Sequence, residues 1–246
     1  MCECPDPNER LLRLNRARHD VYAFLAQAFL TPPTEQLLAA LAAEELLTGA
    51  EDLLGPDGLQ ALRHYRESAE HGPEWHRQAC REFTELFKVP GGRYIAPYES
   101  VFRDVREVAG QRVAGLLMGQ SAINALKWYR LAAVEISTDY KDLPDHIGLE
   151  LSFLVHLCDK EQEFADRGDQ ARLTRTWEME RDFLAVHILS WAEQLRHRLR
   201  DKSRHVFFRT VADLLVAFTQ RDLGRLEGLV GSSEGKPLPD YGPIPQ

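Results

Sequence analysis

The chain has 246 residues, 44% of them hydrophobic and 28% charged, with 38 acidic against 30 basic side chains and a net charge of -8. That size supports a sizeable core in one domain or two subdomains. The acidic balance argues against nucleic acid or an anionic membrane surface as the main partner, and no apolar run approaches the ~20 residues of a membrane span.

The first residues, Met1-Cys2-Glu3-Cys4-Pro5-Asp6, lack the basic and apolar regions of a secretory signal, and the chain contains no Arg-Arg pair. A cytoplasmic protein is expected. Residues 1–7 read as a flexible start, with Cys2 and Cys4 as free thiols, since no further ligands lie near them. Cys80 and Cys158 fall in helical patterns and are expected to be buried fillers.

Asn8 is placed to cap a helix to Leu30, with Leu11, Leu14, Val21, Leu25 and Phe29 on one face. Thr31-Pro32-Pro33 stops it, and Thr34 caps a second helix. Gly55-Pro56-Asp57-Gly58 is a break before a third helix, which ends near His71-Gly72-Pro73. A fourth runs from Glu74 to Lys88. Residues 89–96 read as a loop, and a fifth helix is expected over 113–134. Pro144 then opens a helix to about Arg167, stopped by Gly168-Asp169. One long helix is expected over 170–200, and a last one is organised by Phe207, Phe208, Val211, Leu214, Leu215 and Phe218. Residues 231–246 are rich in glycine, serine and proline and read as a flexible tail. The class is all-α. An N-terminal helical subdomain over 8–134 and a C-terminal one over 144–230 are joined by a hinge at 135–143.

A di-iron bundle needs Glu-x-x-His pairs, and no glutamate here has histidine three residues on. His-Glu-x-x-His, Cys-x-x-Cys, Gly-x-Ser-x-Gly and Walker patterns are missing as well. The expectation is a protein that is not an enzyme, with no cofactor and no metal site. An all-α enzyme or small-ligand carrier with a scattered site is the alternative.

Polar residues concentrate at the junction before the Pro144 helix. Glu135, Asp139, Asp142, Asp145 and Glu150 stand there against Lys141 alone. A solvated loop with a capped helix explains them locally, with Asp145 in the first turn and His146 and Glu150 four apart on one face. An acidic rim beside apolar Ile147, Leu151 and Leu154 explains them too, and suits a basic, apolar peptide.

Pro144-Asp145-His146, followed by Glu150-Leu151 and Phe153-Leu154, resembles the central signature of the TorD/DmsD/NarJ family of molybdoenzyme-specific chaperones. Phe83-Thr84-Glu85-Leu86-Phe87 and Pro97-Tyr98-Glu99-Ser100-Val101-Phe102 resemble that family's aromatic-x-x-Leu-Phe and Pro-x-x-Ser patterns. The resemblance covers about residues 81–230. It implies a chaperone without turnover, which holds the leader or the immature catalytic subunit of a molybdopterin oxidoreductase until cofactor insertion. The leader would be of the twin-arginine type, and the chaperone a monomer or homodimer. Carried over by position, the client-binding residues are Tyr98, Glu99, Ser100, Asp145, His146 and Glu150; Asp142 joins them from the acidic stretch. The resemblance selects the acidic-rim reading. Guanine nucleotide binding occurs in parts of the family, but no phosphate cradle is visible here.

Overall fold

Helical periodicity in the apolar residues becomes ten α-helices among the residues that the computed structural model describes, which are 7–44, 50–70, 72–108, 110–137 and 140–231. Cys2, Cys4, Asp139 and the tail beyond 231 lie outside the described residues. The helices are α1 (Pro7–Leu30), α2 (Glu35–Ala42), α3 (Glu51–Ser68), α4 (Pro73–Phe87), α5 (Glu99–Arg103), α6 (Gln120–Leu131), α7 (Ile147–Asp166), α8 (Gln170–Phe183), α9 (Ala192–Lys202) and α10 (Val206–Val230). Two antiparallel three-residue strands, β1 (Arg106–Val108) and β2 (Gln111–Val113), stand between α5 and α6, with Arg106 opposite Val113.

Several boundaries follow from local chemistry. The Thr34 side chain accepts from the Leu37 amide at 3.1 Å and caps α2. Asp169 does the same for α8, accepting from the Arg172 amide at 3.1 Å. Pro73 opens α4, where its missing N–H has no helical partner to lose. The break expected at residues 55–58 is a kink inside α3, since Gly55 takes φ 60° and ψ -172° and Pro56 restarts the helix.

Two expected helices come out differently. The helix expected over 113–134 begins only at Gln120. Ahead of it, Val113 belongs to β2 and the Gly115–Gly119 loop lies against α5. A Cβ on Gly115 would sit 1.9 Å from the Ser100 carbonyl, so only glycine allows that approach. Leu116, Leu117 and Met118, which fall within that expected helix, are 60%, 52% and 50% exposed. The long helix expected over 170–200 is interrupted by a π-helical turn, Leu184–Ile188, before α9.

The apolar faces merge into one core. Tyr22 and Phe29 from α1, Phe83, Leu86 and Phe87 from α4, Leu151 and Leu154 from α7, and Phe207, Phe208 and Phe218 from α10 belong to the same buried cluster. Helix α1 lies along α7, and α10 lies along α3. The core therefore runs across residues 135–143. Gly148 lets α1 and α7 cross closely, since a Cβ there would meet the Leu30 side chain at 2.5 Å. Cys158 is buried, whereas Cys80 is half-buried with its Sγ 3.3 Å from His76 Nε2.

One buried cation ties the helices together. Arg18 on α1 is fully buried and reaches Glu161 on α7 at 2.6 Å, Asp222 on α10 at 2.6 Å, and Glu180 on α8. Tyr22 donates to Asp222 at 2.6 Å. A buried guanidinium is tolerable only when its N–H groups are taken up in this way.

Candidate functional site

The two motif blocks far apart in sequence are joined edge to edge. The Glu99 amide donates to the Asp145 carbonyl at 3.0 Å, and the Ile147 amide donates to the Pro97 carbonyl at 2.9 Å. These bonds pair Tyr98 with His146 as an isolated antiparallel bridge. The side chains finish the joint by capping. Asp145 accepts from the Ser100 amide at 2.8 Å, so it serves the start of α5 rather than its own helix. His146 takes the N-cap of α7, its Nδ1 accepting from the Gly148 amide at 3.0 Å. The first turn expected at Pro144 is thus an approach segment, and Tyr129 holds it by donating to the Pro144 carbonyl at 2.7 Å.

Tyr98 donates to Asp142, which also accepts from the Leu143 amide at 3.1 Å. The Tyr98 and His146 rings meet edge to face, with centroids 5.4 Å apart. His146 Nε2 lies 4.0 Å from Asp142 Oδ2, and Lys88 Nζ lies 3.6 Å from the same oxygen.

Burial governs the charges. It lowers the His146 pKa to about 4, against the opposing pull of Asp142, so the ring is neutral at pH 7. With Nδ1 accepting, the ring proton sits on Nε2 and faces Asp142. For Asp142 burial works against ionisation, but the Tyr98 hydroxyl and the field of His146 hold the carboxyl below its usual range. Burial raises Asp145, opposed by its bonds to Ser100.

A second group lies directly beneath. Glu99 accepts from His187 Nδ1 at 2.7 Å and pairs with Arg103 through its other oxygen. Arg103 also donates to the Val186 carbonyl at 2.7 Å. Glu150 faces this group and not His146, so a His146–Glu150 pair does not form. Burial, then the neighbouring Glu99 charge, push the Glu150 carboxyl well above the usual range. His187 reaches Glu99 from the π turn, stacked on Phe183 at 4.7 Å. Neither Arg103 nor His187 carried a sequence signal, because the π turn that aims His187 inward has no distinctive residue pattern.

All seven sequence-derived residues come together, though not as an open rim. Glu99, Ser100, Asp145, His146 and Glu150 are 0% exposed, and Tyr98 is 9% exposed. Asp142 is the member of the set that reaches solvent, with its side chain 22% exposed. Their low exposure follows in part from their work, since Asp145 is spent on a cap and Glu99 on internal pairs. An apolar groove of about 230 Å³ lies alongside, lined by Leu30, Tyr129, Ile136, Tyr140, Leu149 and Phe153, with exposed Glu135 at its edge.

Comparison with known proteins gives the same frame. The nitrate reductase delta subunit family matches residues 34–197. The chain is 24% identical to the chaperone protein TorD of Vibrio cholerae over 226 residues, which covers 90% of this chain and 97% of that one. It is 35% identical over 125 residues to a selenate reductase assembly chaperone of Thauera selenatis, covering 50% of this chain and 58% of the relative. It is 34% identical over 148 residues to a chlorate reductase assembly chaperone of Ideonella dechloratans, covering 58% and 69%. No described helix is long and apolar enough to cross a membrane. An all-α chain with both motif blocks joined in one buried seam, matched over most of its length by the family and by the TorD relative, belongs to the nitrate reductase delta subunit family and is a chaperone rather than an enzyme.

Proposed function

We propose that this chaperone acts in the cytoplasm and binds the immature catalytic subunit of a molybdenum-cofactor oxidoreductase, engaging a basic and apolar segment of it at the 135–150 junction. The names of the selenate and chlorate reductase relatives support an oxidoreductase client. One observation carries the choice of site: an open apolar groove includes Tyr129, which holds the Pro144 end of the seam, with accessible Glu135 in its lining and the partly exposed Asp142 on the same junction. Apolar side chains of the client enter the groove, and its cationic residues pair with these two carboxylates. A twin-arginine leader has that character and is the segment proposed.

Asp145, His146 and Glu150 have no exposed surface in this state. Their proposed part is to hold the seam, and they meet the client directly only if residues 135–143 act as a hinge and the seam parts. The test is co-purification of the chaperone with an oxidoreductase catalytic subunit, followed by calorimetric titration with the subunit's leader peptide. Asp142→Asn with Glu135→Gln should weaken binding and its salt dependence while the fold stays intact. Unchanged affinity in the folded double variant would remove this face from the site.

A further inference from the structure

The structure assigns a divalent-cation site to Glu99, Glu150 and His187, three buried side chains brought together from α5, α7 and the π turn. Each offers one ligand atom, and the three atoms lie within 4.8 Å of one another. Two carboxylates and one imidazole, on three separate elements, form a mixed oxygen and nitrogen set that suits Zn²⁺, Co²⁺, Mn²⁺ or Fe²⁺ rather than Cu⁺.

An acidic cluster alone would not carry this. Glu150 is 0% exposed and aimed into the cluster; Glu99 and the Trp191 ring N–H lie beside its carboxyl, but neither of its oxygens completes a well-formed hydrogen bond. A buried carboxyl without partners is costly, and structures normally provide them. A cation bridging Glu150 to Glu99 and His187 would satisfy it. The His187 ring is already fixed, stacked on Phe183 at 4.7 Å and edge-on to Trp128 at 6.1 Å, with Nδ1 turned to Glu99. The π turn supplies the register that aims it there, a distortion that recurs at functional sites. A 2+ ion would offset the two carboxylates, and the remaining positive charge is that of Arg103, a partly exposed side chain on the outer oxygen of Glu99. The Arg103 side chain is 35% exposed, so the ion's route from solvent passes beside it.

The test uses Co²⁺ alone, titrated into untagged full-length protein carrying Cys2→Ser and Cys4→Ser, which removes the thiols as competing ligands. About one Co²⁺ per chain is expected, with a visible d–d band. His187→Gln and, separately, Glu150→Gln should each abolish the band while circular dichroism stays helical. No stoichiometric uptake by the parent protein, or uptake that persists in both variants, would overturn the assignment. Glu150 would then be a buried acid resting on Glu99.

Discussion

The Asp145 carboxylate caps a helix that begins at Glu99, accepting the Ser100 amide at 2.8 Å across a gap of 45 residues. The Asp145 backbone carbonyl takes the preceding amide, that of Glu99, at 3.0 Å. One residue thus closes the short α5 onto the start of α7. Asp145→Ala removes the acceptor and strands a buried amide, which should cost about 1–3 kcal/mol. Chemical denaturation measures that loss, and amide exchange at Ser100 should accelerate most.

Tyr98 and Asp142 sit at the solvent edge of the same joint. Tyr98→Phe removes the hydroxyl that donates to Asp142 and leaves the ring contact with His146 in place. Stability should fall by about 0.5–1.5 kcal/mol. The Asp142 carboxyl, freed of its strongest hydrogen-bond donor, should titrate at higher pH, which NMR of the side-chain carboxyl carbon would show.

His146 gives the junction a pH dependence of known sign. Its folded pKa of about 4 lies below the ordinary histidine value of 6.5, so the unfolded chain binds more protons between those values. Stability should therefore fall as pH drops from about 6.5 toward 4, by at most about 1.4 kcal/mol per pH unit from this residue. His156 and His205 are lowered by burial and act in the same direction. His146→Asn keeps a capping acceptor and should flatten, without abolishing, the slope of melting temperature between pH 6.5 and 5.

The Arg18 hub carries the opposite dependence. Burial raises Glu180 to about 8, against the pull of Arg18. Between about 4.5 and 8 the folded state holds the extra proton, so this residue's contribution to stability declines as pH rises through that window and is flat above it. Glu180→Gln should remove the decline, seen as a smaller drop in melting temperature from pH 6 to pH 8.5. Arg18→Met is more severe. It leaves Glu161 and Asp222 buried without their cation, and should cost about 3–5 kcal/mol in urea denaturation.

The helices were readable wherever the signal is local. Thr34 and Asp169 cap their own helices within three residues, and the apolar stripes of α1, α4, α7 and α10 are visible as spacing. Caps supplied across the fold are not visible in that way. Asp145 for α5, Asp104 for α6 through the Ser121 amide at 3.0 Å, and Glu82 for α10 through the His205 amide at 3.0 Å all act between distant residues. Exposure of Leu116 to Met118 and the π turn at Leu184–Ile188 likewise depend on tertiary packing. The residues that the motif resemblance singled out lie together in the seam, but their exposure could not be read from it. A carboxylate in a motif looks the same whether it meets a client or a buried amide.

The central claim is that the client's segment lies in the groove beside the seam. A photo-crosslinking amino acid placed at Leu149, which lines the groove, and in a second protein at Gln60, on the far helix α3, tests it most directly. Each is irradiated in a cell producing the oxidoreductase catalytic subunit. The account predicts a covalent adduct with that subunit from position 149 and none from position 60, with the crosslinked peptide containing basic residues next to an apolar run. Equal adducts from both positions, or none from 149 while the two proteins still co-purify, would contradict it.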